Sequence, residues 1–419
     1  MSPPQRISAF FSARHLGPWR FENGFNLHLS LSGTDRPFLW LAGALAHKGW
    51  SLDLFCDNLP LNAADEMLRF IRPAENLVDA VRKSFASGAR LLIANANDPC
   101  LIEAARVAEL SSLTLLLWDQ NGPRPELVRF LTTIPSLNRL VCVSQAQADG
   151  ARHLDCFEKI SVVYNAIDLD FWHPIKSAEI EPAVVFLGAL TPSKGFHHLA
   201  RAWPAIKSAH PKARLHVCGS AKLYDRNATV GPLGVALQAY EREGIMPYLG
   251  ESREAAEALG VQFHGLTTPE QTRSLLWTSC VGVVNPNIDG SSETFCVSAV
   301  EMQACGLPVV GGCVGGLLET VAHGRSGVLL QPAELAHAIC RVLGNRPFRA
   351  RLSQGAIAHA AQFGPAKTIV EWENLIGDIL ANRRLQPPSF RVFPLKSRRY
   401  AKQLLRLSRL QRLVRSWRG

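Results

Sequence analysis

The nine residues Glu293-Thr-Phe-Cys-Val-Ser-Ala-Val-Glu301 place two carboxylates with seven residues between them. Ahead of them runs Val281-Gly-Val-Val-Asn285-Pro286, an apolar stretch ending on a turn signal. Behind them comes Met302-Gln-Ala-Cys-Gly306-Leu-Pro308-Val-Val310. The order reads strand, loop, helix, glycine stop, strand. With a helix starting near Phe295, Glu293 lies in the loop at its N-terminus. Glu301 then lies about two turns inside, an axial gap of about 12 Å at ~1.5 Å per residue. That gap matches the span from a ribose to a hexose across a diphosphate. The helix N-terminus between the carboxylates would offer free N–H groups and a positive dipole end to such an anion. Two glutamates on one helix are more often solvated surface charge. Here the residues after Glu301, through Val310, are nearly all apolar or small, which leaves little room for an open polar face.

Outward from this stretch, the second half repeats a strand and helix alternation. Ala183–Leu187 reads as a strand, Gly188-Ala189-Leu-Thr-Pro-Ser-Lys194-Gly195 as a loop into a helix, and Arg214–Cys218 as the next strand. Residues 219–260 are longer than a simple connection and imply hidden structure or function. Val261-Gln-Phe-His264-Gly265 resumes the alternation, and His264 at a strand end reads as structural. Pro174, a polar run and Pro182 mark a boundary near 173–181.

The first half alternates in the same way. Short apolar runs at Ile7–Ser12, Ser51–Cys56, Ala89–Ala94, Leu113–Trp118, Arg139–Val143 and Lys159–Tyr164 are separated by helix-like segments, among them Phe38–Lys48 and Leu101–Leu110. Such alternation means a parallel sheet covered on both faces, with ligands at the carboxyl ends of its strands. Those ends carry Asn95-Ala-Asn97-Asp98 and Trp118-Asp119-Gln120-Asn121-Gly122. Asp98, before Pro99, reads first as a turn or helix-start residue. Asp119 reads equally as a turn former or as a group facing a ligand.

At 419 residues, 47% hydrophobic and 19% charged, the chain is sized for two globular domains. No apolar run is long enough for a transmembrane helix. The opening Met1-Ser-Pro-Pro-Gln-Arg lacks the apolar core of a signal peptide. Ten scattered cysteines without a CxxC pair read as reduced thiols in the cytosol, not as a metal or disulfide framework.

The stretch from Glu293 to Gly306-Leu-Pro-Val-Val, followed by Gly315-Gly316-Leu-Leu-Glu319 and Gly324-Arg-Ser-Gly327, resembles the signature of the retaining GT-B glycosyltransferases of family 4, with its E-x7-E motif at Glu293 and Glu301. The resemblance covers roughly residues 30–380 and is strongest over 183–330. It implies a GT-B fold, two Rossmann-like parallel-sheet domains facing a cleft: residues 1–175 on the acceptor side and 176–365 on the donor side, with a crossover helix at 366–383. It implies that Glu293 contacts the transferred sugar, that Glu301 holds the nucleotide ribose, and that Lys194 and Gly188 serve the donor diphosphate. Backbone N–H groups of Phe295, Cys296 and Val297 would meet the donor. Ser32-Gly33-Thr34-Asp35 resembles the family's glycine loop near the phosphates, without its usual second glycine. Asp119, and with it Asp98, would line the acceptor site. The chain departs from the pattern at Ala189, where the family carries a second diphosphate cation, and at Cys296, where glycine is common. A lone lysine before glycine is ordinarily a helix-start surface residue; only the matching loop turns Lys194 toward phosphate. The resemblance implies neither a metal nor another cofactor.

The last residues differ from the body. From Arg383 on there are twelve Lys or Arg and no acid, so the net charge of +10 leaves −2 for the preceding 382 residues. Residues 384–419 read as a basic amphipathic tail, with Tyr400, Leu404, Leu407, Leu410, Val414 and Trp417 on one side of a helix. A disordered basic tail is the plain alternative. The leucine stripe suits an anionic membrane surface better than nucleic acid. The expectation is therefore a cytoplasmic enzyme, held peripherally at the inner membrane face by its tail. It would move a sugar from a nucleotide sugar to a saccharide or lipid-linked hydroxyl with retention, in polysaccharide or glycoconjugate synthesis. The competing expectation is a non-catalytic nucleotide-sugar or saccharide-binding protein on the same scaffold.

Overall fold

The computed structural model describes residues 6–21, 31–122, 125–152, 154–175, 181–223, 227–288 and 293–389. They divide into two compact units. The first holds residues up to 21, then 37–164, then the chain from 368 on; the second holds 31–36 and 165–367.

In the first unit seven parallel strands line up as β3-β2-β1-β4-β5-β6-β7. They are β1 (Arg6–Phe11), β2 (Ser51–Cys56), β3 (Ile71–Pro73), β4 (Leu91–Asn95), β5 (Thr114–Asp119), β6 (Leu137–Cys142) and β7 (Ile160–Val162). Strands β4 and β5 are apolar along nearly their whole length and almost fully buried, as a sheet covered on both faces requires. The edge strand β3 has one buried residue in three and no apolar run to announce it. It escapes a reading based on hydrophobic pattern.

The second unit contains β8 (Ala183–Leu187), β9 (Arg214–Cys218), β10 (Val261–Gly265), β11 (Val281–Val284), β12 (Val309–Gly312) and β13 (Gly327–Leu330), all parallel, in the order β10-β9-β8-β11-β12-β13. Counted within the unit this is 3-2-1-4-5-6, the doubly wound order whose direction reverses between its first and fourth strands. That switch point lies between β8 and β11, the strands that lead into the Lys194 and Glu293 loops. Phe186, Phe196, Trp203 and Leu215 build the core beneath it.

The long segment after β9 is mostly structural. It contains short helical pieces at Gln238–Tyr240, Glu241–Ile245, Met246–Leu249 and Arg253–Ala258. Glu241, with no solvent exposure, accepts from the backbone N–H groups of Leu233, Val235 and Ala236 at 2.7–2.8 Å. These three donors satisfy the buried carboxylate and tie the loop to the helical pieces. Ile245 and Leu249 join the core.

The last helix, Pro365–Leu380, begins in the second unit, and its residues from 368 on belong to the first. There Trp372 meets Trp118 edge-on at 4.8 Å, and Glu373 accepts from the Trp50 indole at 3.1 Å. The expected crossover helix is thus present. Most of the basic tail lies outside the described residues.

Candidate functional site in the second unit

The site grows from the two strands at the switch point. After β8 the chain passes Gly188 and Ala189 into a short turn, Pro192–Lys194, and Gly195 takes a left-handed conformation to enter the helix Phe196–Ala209. After β11, Asn285 also has positive φ, at 30°, and turns its amide inward. The two loops meet at Glu293. Its Oε2 accepts from Lys194 Nζ and from Asn285 Nδ2, each at 2.9 Å. Glu293 is 7% exposed. Its Oε1 carries no hydrogen bond from any described residue. The Glu293 backbone is pinned separately: Gly316 N–H donates to its carbonyl at 2.8 Å. Gly315, at φ +52°, has no room for a side chain there, since a Cβ would stand 2.1 Å from that same carbonyl oxygen.

The helix begins at Val297, two residues later than the sequence suggests, because Cys296 adopts a left-handed conformation (φ 69°, ψ 73°) that ends the loop. No described side chain caps this N-terminus, which leaves its first N–H groups without an intrahelical partner, and Val297 and Ser298 line a pocket of this unit. Burial and the neighbouring Glu293 carboxylate push the Cys296 thiol well above its ordinary range. The Phe295 ring turns away into the core, edge-on to Phe363 at 5.4 Å, which leaves only its backbone for a ligand.

Glu301, on the second turn, is 6% exposed, and its Oε1 accepts from Arg36 Nη1 at 3.0 Å. Burial pushes its carboxyl up; the Arg36 guanidinium pulls it back down. Arg36, Glu301, Gly33, Gly188, Gly219 and Val297 are among the residues lining one pocket of this unit. Sequence reasoning reached four of these six. It missed Arg36, whose surroundings Thr34-Asp-Arg-Pro37 look like an ordinary helix start, and it read Asn285 only as a turn. Ala189 is buried at 1% exposure.

Asp119 and Asp98 belong to the first unit. Asp119 Oδ1 accepts from Asn121 and Gly122 N–H at 3.1 and 3.0 Å, a loop-forming role. Its Oδ2 is buried without a partner among the described residues, and burial raises the carboxyl above its usual value. Asp98 accepts from Cys100 N–H at 2.8 Å, the turn geometry expected of Asp in this position.

Residues 171–359 match the model of the family described as glycosyl transferases group 1. Among solved structures, sucrose-phosphate synthase from Thermosynechococcus elongatus superposes with a TM-score of 0.64 at 19% identity, over 90% of this chain and 100% of that one. A glycosyltransferase from Rickettsia africae gives 0.67 at 14%, over 91% and 100%. Anabaena HepE, solved with UDP and glucose, gives 0.61 at 17%, over 90% and 100%. The chain has the GT-B fold of glycosyltransferases. Among curated relatives of this GT-B chain, the D-inositol 3-phosphate glycosyltransferase of Segniliparus rotundus is 30% identical over 304 residues, 68% of this chain and 61% of that protein. The enzyme of that name from Acidothermus cellulolyticus is 33% identical over 294 residues, 66% and 61%. The chain therefore spans about three fifths of the length of these relatives.

Proposed function

We propose that this GT-B chain is a retaining glycosyltransferase of family 4. It moves a sugar from a nucleoside-diphosphate sugar to a hydroxyl of a saccharide or lipid-linked acceptor. The observation that carries the reading is the meeting of Lys194, Asn285 and Glu293 before an uncapped helix N-terminus, with Glu301 on the second turn of that helix. The group 1 match over 171–359 supports it. So do the names of the relatives and the UDP and glucose of the Anabaena structure.

Glu301 accepts the ribose hydroxyls and Glu293 faces the transferred sugar. As the bond from the anomeric carbon to the phosphate oxygen breaks, positive charge grows on that carbon and negative charge on the diphosphate. The Glu293 carboxylate opposes the first; the Lys194 ammonium and the Val297 and Ser298 N–H groups oppose the second. Fixed groups of this kind lower a barrier because they need no reorganisation during the reaction. No metal or other cofactor is invoked. No side chain is assigned as a nucleophile, so retention has the acceptor oxygen enter on the face the diphosphate leaves, its proton passing to the departing phosphate oxygen. Asp119 and Asp98 remain the acceptor-side proposal, and the tail is proposed to hold the enzyme on an anionic cytoplasmic membrane face.

A thermal-shift panel of UDP, GDP and ADP beside their sugar conjugates tests the donor reading, since a ligand of the native state raises its stability by mass action. Nucleotide release from the stabilising conjugate then separates an enzyme from a binding protein. A panel in which no nucleotide shifts the melting temperature would refute the reading.

A further inference from the structure

The edge of the second sheet carries a pair of histidines that the nucleotide-sugar reading leaves unused. In β9, Leu215 and Val217 join the core; in β10, Val261 joins it and Phe263 packs against it. His216 and Gln262 alternate with these residues and so face the other side of the sheet. The strands run in register from Val261 opposite Leu215 to Phe263 opposite Val217, and then Gly265, not His264, stands opposite Cys218. His264 is thus the extra residue of a β-bulge. Bulges are rare between parallel strands, and they re-aim a side chain. This one brings the His264 ring to the His216 ring: Nε2 of the first lies 3.0 Å from Nδ1 of the second. His216 is 7% exposed, whereas His264 is open to solvent.

Two nitrogens at this separation have the spacing of neighbouring ligands on one metal ion. With metal–nitrogen bonds of ~2.0–2.1 Å, two imidazoles at a right angle place their nitrogens about 2.9 Å apart, and two at a tetrahedral angle about 3.3 Å. The 3.0 Å separation falls inside that range. One lone pair already faces the gap, because a hydrogen bond between two ring nitrogens joins one N–H to one acceptor. The donating ring offers its own lone pair by taking its other tautomer, so the pair need lose no proton. The buried ring supplies a fixed ligand, and the exposed ring gives the ion a way in.

We propose that His216 and His264 form a binding site for a divalent transition metal that favours imidazole, such as nickel or zinc. The ion clips the edge strand β10 to β9. No third His, Cys, Asp or Glu among the described residues completes the set. Water therefore fills the remaining positions, and the ion exchanges more readily than one in a closed four-ligand site.

The test is calorimetric titration of Ni²⁺ into the full chain, free of any histidine tag. Wild type is expected to bind an equivalent of Ni²⁺ that His264→Gln loses or binds at least about tenfold more weakly. Even an outer-sphere partner of a metal is worth about 10–100-fold in affinity, and a ligand at least as much. Glutamine at the exposed position 264 can still hydrogen-bond to His216, so this variant is expected to keep the melting temperature of wild type in the absence of metal. His216→Asn removes the other ligand and gives the same reading if the first variant fails to fold. The neighbouring rings of His197 and His198, 4.0 Å apart, are untouched by either change, so any Ni²⁺ they hold stays constant across the series. Ni²⁺ binding of equal stoichiometry and affinity in wild type and variants would overturn the proposal. So would a wild-type chain that binds no Ni²⁺; the pair would then be only a hydrogen bond across the bulge.

Discussion

Replacing Glu293 with glutamine separates chemistry from architecture at this site. The amide keeps the shape of the carboxylate, and its oxygen can still accept from Lys194 and Asn285 where Oε2 now sits, 2.9 Å from each. Only the charge is lost. At that distance and an effective dielectric constant of ~20, the gross attraction between Lys194 and Glu293 is about 6 kcal/mol. Most of it offsets the desolvation of two largely buried groups, 20% and 7% exposed. The difference between a charged and a neutral acceptor for one ammonium is about 1–2 kcal/mol, so Glu293→Gln should fold with a modest loss of stability. Removing one preorganised electrostatic group from an active site costs about 10²–10³ in kcat, or about 3–4 kcal/mol. Glu293→Gln is therefore expected to lower kcat by that factor while the nucleoside-diphosphate Kd changes by less than about threefold, below 1 kcal/mol. Nucleotide release under saturating donor gives the first quantity and calorimetry the second. Full turnover, or losses of equal size in kcat and nucleotide affinity, would show that Glu293 does not act on the sugar or its developing charge.

Glu301→Gln removes the charge from the acceptor proposed for ribose and is expected to weaken nucleotide binding about tenfold with the fold intact. Because burial raises the Glu301 carboxyl, wild-type affinity should be full above that raised value and fall as pH drops through it. Calorimetry across pH should find that fall above the ordinary glutamate range, and a flat profile in the glutamine variant. Asp119 also has a raised carboxyl, so the native state holds its proton to higher pH than the unfolded chain. Wild-type stability should then fall as pH rises from the ordinary aspartate value through the raised one. Asp119→Asn should lack that slope in thermal melts, whereas Asp119→Ala, which strips the acceptor from Asn121 and Gly122, should lose about 1–3 kcal/mol. Deleting 390–419 leaves every described residue in place and removes ten of the basic side chains. At about 1 kcal/mol per engaged cation, sedimentation with anionic vesicles at low salt should disappear while donor hydrolysis persists; equal sedimentation of both forms would refute the membrane role.

The sequence displays its fold wherever burial on both faces forces apolar runs. Residues 281–284 and 183–187 could be read as strands for that reason, and the doubly wound order gives their loops a place at the switch point. The edge strand Ile71–Pro73, half solvated and only three residues long, carries no such pattern. Glu293, Glu301 and Lys194 were legible because a loop-helix pattern surrounds two of them and a matching loop holds the third. Arg36 was not, because its contact with Glu301 spans 265 residues of sequence. Nothing local distinguishes it from a solvated arginine in a first helical turn. The start of the Glu301 helix was misplaced for a related reason: left-handed Cys296 is non-glycine, so composition gives no warning of the break.

The described ends of the Glu293 loop are held by the backbone of a neighbouring segment. The segment Gly311-Gly-Cys-Val-Gly315-Gly316 ends β12 and enters the next loop, and its glycines touch the Glu293 loop at both described ends through the backbone. Near the loop's start, Gly312 N–H donates to the Asn285 carbonyl at 3.0 Å, and a Cβ on Gly312 would lie 2.0 Å from the Asn287 carbonyl oxygen. Near its end, Gly316 N–H holds the Glu293 carbonyl, and a Cβ on Gly316 would lie 2.2 Å from the Thr294 carbonyl oxygen. Contacts this close are open only to glycine. They place Asn285 and Glu293 independently of the hydrogen bond between their side chains. The carboxylate is thus presented to Lys194 by the backbone of its neighbours, and exchanging its charge leaves that presentation in place. This separation of position from charge is why a neutral side chain at 293 reports on the chemistry of the site, whereas a side chain added at 312 or 316 would report only on its geometry.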